Sequence, residues 1–380
     1  MKPNVIDVTR KLVNYRSPSL ESNVPVTEYC ADLLRSLGFA VEALGYTDKN
    51  GVDKLSVVGK LGDGEGGLSL LSHNDTVPAE KSDGWVGDPF KARVSGDKLY
   101  ARGSADMKGP LAASICAAAR FRASNLKSPV YIVVTADEEV SGIGALEVTQ
   151  NSKLFAEASS GYGLICEPTR LRVVHAHKGS LHMRVTSRGR SAHTSSLKGV
   201  NANMKMIPFL QQMKKLNDHV LSAKRFRNEE FKPAHSELSL SINDHLMAMN
   251  VYPVESECRL GYRIMPGVDV NSLKARVREC AREHGLKFDL QSQLEPVYTA
   301  PDSQFVRTAL KLSGTRTPRT VAYGTDGVRY VAKMKQLVVL GPGDIAQAHT
   351  VDEWIELDQL RKAVDLYSRF IDHVCVKQLP

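Results

Sequence analysis

Leu68-Ser69-Leu70-Leu71-Ser72-His73-Asn74-Asp75 is an apolar run that stops at an imidazole and a carboxylate. A segment of this length and composition reads as a buried strand. In an open α/β sheet, the carboxyl ends of strands are where ligands and chemistry collect. Pro129 to Ala136 is a second such run, rich in β-branched residues (Val130, Ile132, Val133, Val134), and it passes directly into Asp137-Glu138-Glu139. Nearly unbroken runs of this kind mark central parallel strands, buried on both faces. A third run, Tyr162 to Cys166, ends in Glu167-Pro168, and a fourth, Gln336 to Leu340, ends in Gly341-Pro342-Gly343.

Between these strands lie helical patterns. Apolar residues recur at helical spacing over 4–16 (Val5, Val8, Leu12, Val13) and over 26–37, where Gly38 is a natural stop. Phe39 to Tyr46 and Lys54 to Leu61 read as strands joined by the turn Asp48-Lys49-Asn50-Gly51, and a short strand is expected near Lys91–Val94. Gly109-Pro110 opens an Ala-rich helix running to about Arg122, and further helices are expected near 143–150, 305–312, 327–334 and 357–374. The alternation predicts an α/β fold with a mostly parallel sheet and helices on its faces.

Around His177-Lys178-Gly179 the pattern changes. Leu181 to Ser187 alternates like a half-exposed strand, followed by a helix at 200–215, strands at 236–242 and 256–264, a helix at 270–284 and a strand at 286–291. This order predicts a small α+β sandwich inserted into the larger fold. The expected boundaries are a catalytic domain of residues 1–178 plus 292–380 and an inserted domain of 179–291. At 380 residues, length alone already points to more than one core.

Composition narrows the function classes. No apolar run approaches the ~18 residues of a membrane span. The N-terminal segment lacks a signal-peptide core and reads as a helix start, which places the protein in the cytoplasm as an expectation. The six cysteines are scattered without a C-x-x-C pair, so neither a disulfide framework nor a thiolate zinc site is indicated. The formal charge of +8 is spread along the chain with only short basic knots, such as Lys224-Arg225-Phe226-Arg227, and no nucleic-acid-binding signature accompanies it. A modest positive field also suits an anionic small substrate.

Five polar stations sit just past apolar strands or at strand–loop junctions: His73 with Asp75, Asp106, Asp137-Glu138-Glu139, Glu167 and His349. Singly, each has an ordinary explanation. A histidine at a strand end is more often packed or solvated than a ligand, adjacent glutamates are usually a solvated face, and an aspartate before a helix is most often its N-cap. Jointly they supply two imidazoles and several carboxylates to one sheet edge, a donor set suited to zinc or a similar divalent ion. One bridging carboxylate would let them hold a pair of ions.

The motifs resemble those of the dinuclear-zinc superfamily of aminoacylases, acetylornithine deacetylases and succinyl-diaminopimelate desuccinylases. They stand here as Ser72-His73-Asn74-Asp75-Thr76-Val77-Pro78, Gly103-Ser104-Ala105-Asp106-Met107-Lys108-Gly109, Asp137-Glu138-Glu139, Glu167-Pro168-Thr169 and Gln347-Ala348-His349, in the family's order. The resemblance implies two zinc ions, with cobalt or manganese as possible substitutes. His73, Asp106 and Glu167 would hold one, and Asp106, Glu139 and His349 the other, with Asp106 as the bridge. It implies a cis peptide at Asp106–Met107 and Asp75 as the orienter of His73. Glu138 would be the general base acting on a metal-bridging water.

Gly189-Arg190-Ser191-Ala192-His193-Thr194-Ser195 resembles the family's lid motif. That implies a homodimer built through the inserted domain, with His193 reaching the partner's active site to stabilise an oxyanion. Asn250 and Arg263 match positions that bind the substrate α-carboxylate, although Gly261 replaces the Asp usual two residues before the arginine. His175-Ala176-His177-Lys178-Gly179, Tyr323-Gly324-Thr325-Asp326 and Gly341-Pro-Gly-Asp-Ile-Ala-Gln-Ala-His349 resemble the acetylornithine deacetylase branch. The expected reaction is therefore hydrolysis of an N-acyl amino acid, foremost N-acetylornithine. Acetylcitrulline deacetylase, succinyl-diaminopimelate desuccinylase, a di- or carboxypeptidase, and a non-catalytic binding homologue are the alternatives. Neither nucleic acid nor membrane is an expected partner.

Overall fold

The computed structural model describes residues 2–243 and 248–378. The chain divides into two compact units, one of Met1–Ala176, Tyr298–Arg319 and Thr325–Pro380, the other of His177–Val297 with Thr320–Gly324.

The first unit is built on a mixed sheet. Its strands lie in the order Ala40–Thr47, Asp53–Leu61, Val130–Thr135, Leu68–His73, Tyr162–Pro168, Gln336–Gly341, with shorter strands beyond. The last four of these run parallel, and the N-terminal hairpin pairs antiparallel along one side. Every residue of Leu68–His73, Val130–Thr135 and Tyr162–Pro168 is buried, as their unbroken apolar sequence requires. Each enclosed Val, Leu or Ile there contributes on the order of 1.5–3 kcal/mol. Because the four strands are parallel, the segments after His73, Thr135, Glu167 and Gly341 all leave from the same edge. That is the topological reason distant polar residues can meet.

The Ala-rich helix is Gly109–Ala118, shorter than the stretch to Arg122 that composition predicts. It is buried throughout and packs against Leu357–Ile371 and Val5–Val13. Small residues permit this approach: a Cβ on Gly109 would lie 3.2 Å from Leu360 Cδ2. The helix expected at 327–334 is only Gly327–Tyr330, and a second short helix, Lys153–Ala158, follows Ile143–Asn151. A three-stranded sheet of Trp354–Glu356, Lys98–Tyr100 and Arg93–Ser95 is larger than the single short strand expected near residue 92. Its strands are three residues each, too short for alternation to register.

The second unit is a four-stranded antiparallel sheet in the order Leu238–Asn243, Glu255–Tyr262, Ser180–Arg188, Lys287–Leu294, with helices Ala202–Ser222 and Val270–Glu283. Leu181, Met183 and Val185 alternate into its core with Phe209, Met213, Leu260, Leu273 and Val277. Asn201 and Asp269 start the two helices by accepting hydrogen bonds from first-turn amides. No helix among the described residues is long and apolar enough to cross a membrane. All six cysteines are free and buried, packed as small apolar groups.

Candidate metal centre

His73 is the last residue of its strand, and its ring enters a cluster of carboxylates. Its Nε2 lies 3.2 Å from Asp106 Oδ1 and 3.5 Å from Glu167 Oε1. The other oxygen of Asp106 faces His349, whose Nε2 lies 3.5 Å from Asp106 Oδ2 and 2.9 Å from Glu139 Oε2. Two sets of donor atoms result, His73–Asp106–Glu167 and Asp106–Glu139–His349, each gathered within 4.8 Å. Asp106 belongs to both and turns one oxygen to each. Its position before a helix suggested an N-cap, yet it makes no cap hydrogen bond and its backbone is non-helical (φ −123°, ψ 95°). The Asp106–Met107 peptide is cis.

The surrounding groups hold these side chains in place. Asp75 Oδ1 lies 3.4 Å from His73 Nδ1, and the two Asp75 oxygens accept from the backbone N–H groups of Glu138 and Glu139. One aspartate thus orients the imidazole and the Glu138-Glu139 turn together. Ser19 donates to Asp75 Oδ2 at 2.6 Å. On the far side of Asp106, buried Glu353 accepts from the backbone N–H groups of Gly103, Ala105 and Asp106 and from the Arg102 guanidinium.

Glu138 stands apart from both donor sets. Its Oε2 is 4.0 Å from His73 Nε2, and its side chain is 16 % exposed. The preceding residue, Asp137, has a left-handed backbone (φ 60°), which turns the chain sharply at the strand end. Its carboxylate is fixed by Lys54 Nζ at 2.9 Å and by the Tyr46 hydroxyl, which donates at 2.7 Å. Lys54 also donates to the Ser19 and Glu21 carbonyls, so this buried ammonium is fully engaged.

The electrostatics fit a divalent pair. Burial raises Glu138 well above the ordinary carboxylate range, and it raises Glu139 as well. Burial, reinforced by the charge of Asp106, pushes Glu167 up to about 8. His349 is raised to about 10 by Asp106 and Glu139. For His73, burial would lower the pKa, but Asp106, Asp75 and Glu167 raise it well above the usual value. Burial and mutual crowding thus disfavour the charged forms of these carboxylates, forms that a bound cation would favour. The cluster's oxygen and nitrogen donors, with no thiolate, suit zinc, cobalt or manganese alike.

His193, Asn250 and Arg263 lie in the second unit. His193 is exposed, and its Nδ1 accepts from the Ser195 N–H, starting the turn Thr194–Ser196. Asn250 is beside it in space: the Thr194 N–H donates to the Asn250 carbonyl, and His193 bridges Val251. Arg263 follows the strand Glu255–Tyr262 and is exposed. Sequence reasoning missed Lys54, Tyr46, Ser19 and, as a structural support, Glu353. Lys54 carries no signal of its own in the sequence, since its strand also holds Asp53, Ser56 and Lys60.

The sequence matches the model of peptidase family M20/M25/M40 over residues 69–373. The chain is 32 % identical to an acetylornithine deacetylase of Klebsiella pneumoniae, covering 98 % of each chain. It is 31 % identical to one of Myxococcus xanthus, covering 96 % of each. Among solved structures, an M20 family metallo-carboxypeptidase from Sulfolobus solfataricus superposes with a TM-score of 0.73 at 18 % identity, over 97 % of this chain and 98 % of that one. With both donor sets assembled on the matching fold, the protein is a member of peptidase family M20/M25/M40, and its centre is that of a metal-dependent hydrolase.

Proposed function

We propose that the protein is a zinc-dependent deacylase of N-acyl amino acids, acting on N-acetylornithine to give ornithine and acetate. The observation that carries this reading is the division of labour between neighbours. Glu139 reaches His349 at 2.9 Å and joins a donor set, while Glu138 lies beside His73 and joins neither. A general base in such a site must sit next to the ions without being consumed as a ligand. The two bacterial relatives named as acetylornithine deacetylases support the choice of substrate.

His73, Asp106 and Glu167 would hold one ion and Asp106, Glu139 and His349 the other, with Asp106 shared. When bound, a zinc pair supplies Lewis acidity toward the acyl oxygen and lowers the pKa of water. Asp75 keeps the His73 ring in its ligating orientation. Glu138 takes a proton from the attacking water as the oxygen bonds to the acyl carbon. It then returns that proton to the amide nitrogen as the C–N bond breaks, which leaves acetate and the free amine. His193 is assigned to the oxyanion, acting from the partner subunit of a homodimer built through the second unit. Asn250 and Arg263 are assigned to the substrate α-carboxylate, for which a guanidinium fork is well shaped. A cytoplasmic setting accords with six unpaired, buried thiols.

The test is a substrate panel of N-acetylornithine, N-acetylcitrulline, N-succinyl-diaminopimelate and dipeptides, run on the zinc-loaded chain. The reading predicts acetate release, with the highest kcat/KM for N-acetylornithine. Preference for dipeptides would replace it with a peptidase, and inactivity on the whole panel with bound zinc would refute the hydrolytic assignment.

A further inference from the structure

A second concentration of charge lies in the first unit, away from the carboxylates. Arg170, Arg172, Arg316 and Arg319 line a cavity of about 440 Å³. Its remaining wall is formed by Leu171 and the segment Ser313–Thr317, and no acidic side chain lines it. The volume is within the ~300–1,000 Å³ range of small-molecule pockets. Arg170 is paired with Asp344 at 2.9 Å. Among the described residues, Arg172, Arg316 and Arg319 make no ion pair. All four arginines are exposed, and a guanidinium keeps its proton, so the cavity carries a standing positive field that would attract an anion.

The backbone holds the walls in place. The Arg172 N–H donates to the Thr169 carbonyl and the Arg319 N–H to the Val173 carbonyl. The helix Gln304–Ser313 ends against the cavity, and the negative end of such a helix would ordinarily oppose an anion. Here the Leu310 carbonyl is taken up by the Gly314 and Thr315 N–H groups and by the Ser313 hydroxyl. Ser313, Thr315 and Thr317 add hydroxyls to the lining.

We infer that this pocket binds a small molecule carrying two or more adjacent phosphate groups. Four guanidiniums, one of them already matched by Asp344, leave an excess of three positive charges, which a pyrophosphate-type anion balances. Arginine is the side chain whose planar fork fits phosphate oxygens bidentately. The arginines come from two chain segments, 170–172 and 316–319, so neighbouring phosphates would engage more of them than a single one can. No residue of the metal centre lines this pocket, so its occupancy is independent of the substrate taken there.

The probe is pyrophosphate, titrated calorimetrically into the zinc-loaded full chain and into an Arg172→Ser/Arg316→Ser double variant. Pyrophosphate can also meet the metal ions, so the difference between the two proteins reports the arginine pocket. Both positions are exposed, and the variant is expected to keep wild-type metal content, melting temperature and hydrolytic rate. The expected result is affinity weakened about 30-fold in the double variant, with wild-type binding falling steeply as salt rises. An Arg172→Lys/Arg316→Lys variant, which keeps charge but loses the fork, should lie between. ADP should compete for the site and adenosine should not. Equal pyrophosphate affinity in wild type and the Ser variant would overturn the proposal. So would absence of binding at about 1 mM, a Kd equivalent to only ~4 kcal/mol. Tighter arginine-dependent binding of a short DNA duplex than of pyrophosphate or ADP would also overturn it, marking a polyanion surface instead.

Discussion

His73 and His349 present the same imidazole to the same carboxylate, Asp106, but from unlike surroundings. The His73 side chain is 2 % exposed, stands at the end of a buried central strand and is held from behind by Asp75. The His349 side chain is 53 % exposed and stands on a loop, with a left-handed backbone (φ 63°) after the short turn Ile345–Gln347. Their partners differ likewise, since Glu167 is part of a buried strand while Glu139 lies on the turn beyond one. A ligand fixed by strand packing loses little freedom when an ion binds, whereas an exposed loop ligand must be ordered at that moment. The two ion sites should therefore be unequal, with the His73 side binding tightly and the His349 side exchanging with solvent.

The largest effect should come from the residue the two sides share. Asp106→Ala removes a donor from both sets, and metal analysis should find both equivalents lost and activity reduced by about four orders of magnitude. Retention of one full equivalent would show that the sets are independent and the bridge unnecessary. Separating the sides should give a smaller, asymmetric result. His349→Ala should keep one equivalent of metal and an unchanged melting temperature, while His73→Ala should lose its ion and melt earlier. Dialysis of the wild type against a chelator should remove one equivalent quickly and the second slowly, and equal rates would erase the comparison. Smallest is Asp75→Asn, which preserves size and removes only the charge that orients His73. It should cost about 10–100-fold in metal affinity or activity.

The same contrast explains what could be read from the sequence. His73, Asp75, Glu138, Glu139 and Glu167 follow apolar strands directly, so period and composition deliver them to one sheet edge before any coordinates are known. His349 lies eight residues beyond its strand, and only the motif around it marks it. The supports were not legible. Lys54 and Asp137 are far apart in sequence, as are Glu353 and the Gly103–Asp106 amides, and a polar pair has no periodicity that joins its two halves. Lys54, near the start of the strand Asp53–Leu61, looks like an ordinary solvated strand-end lysine until its two carbonyl acceptors and the Asp137 carboxylate are seen. The helix expected to reach Arg122 stops at Ala118 because burial, which its composition predicts, ends there.

Central to this account is that Glu138 moves the proton and binds no metal. Glu138→Gln keeps the size and burial of the side chain and removes only its basicity. The decisive measurement is therefore kcat for N-acetylornithine together with metal content, on wild type and this variant. A rate lowered by about a thousandfold or more, with two equivalents of zinc retained, is the predicted result. A variant that keeps its rate, or that loses its rate only because it has lost an ion, would contradict it.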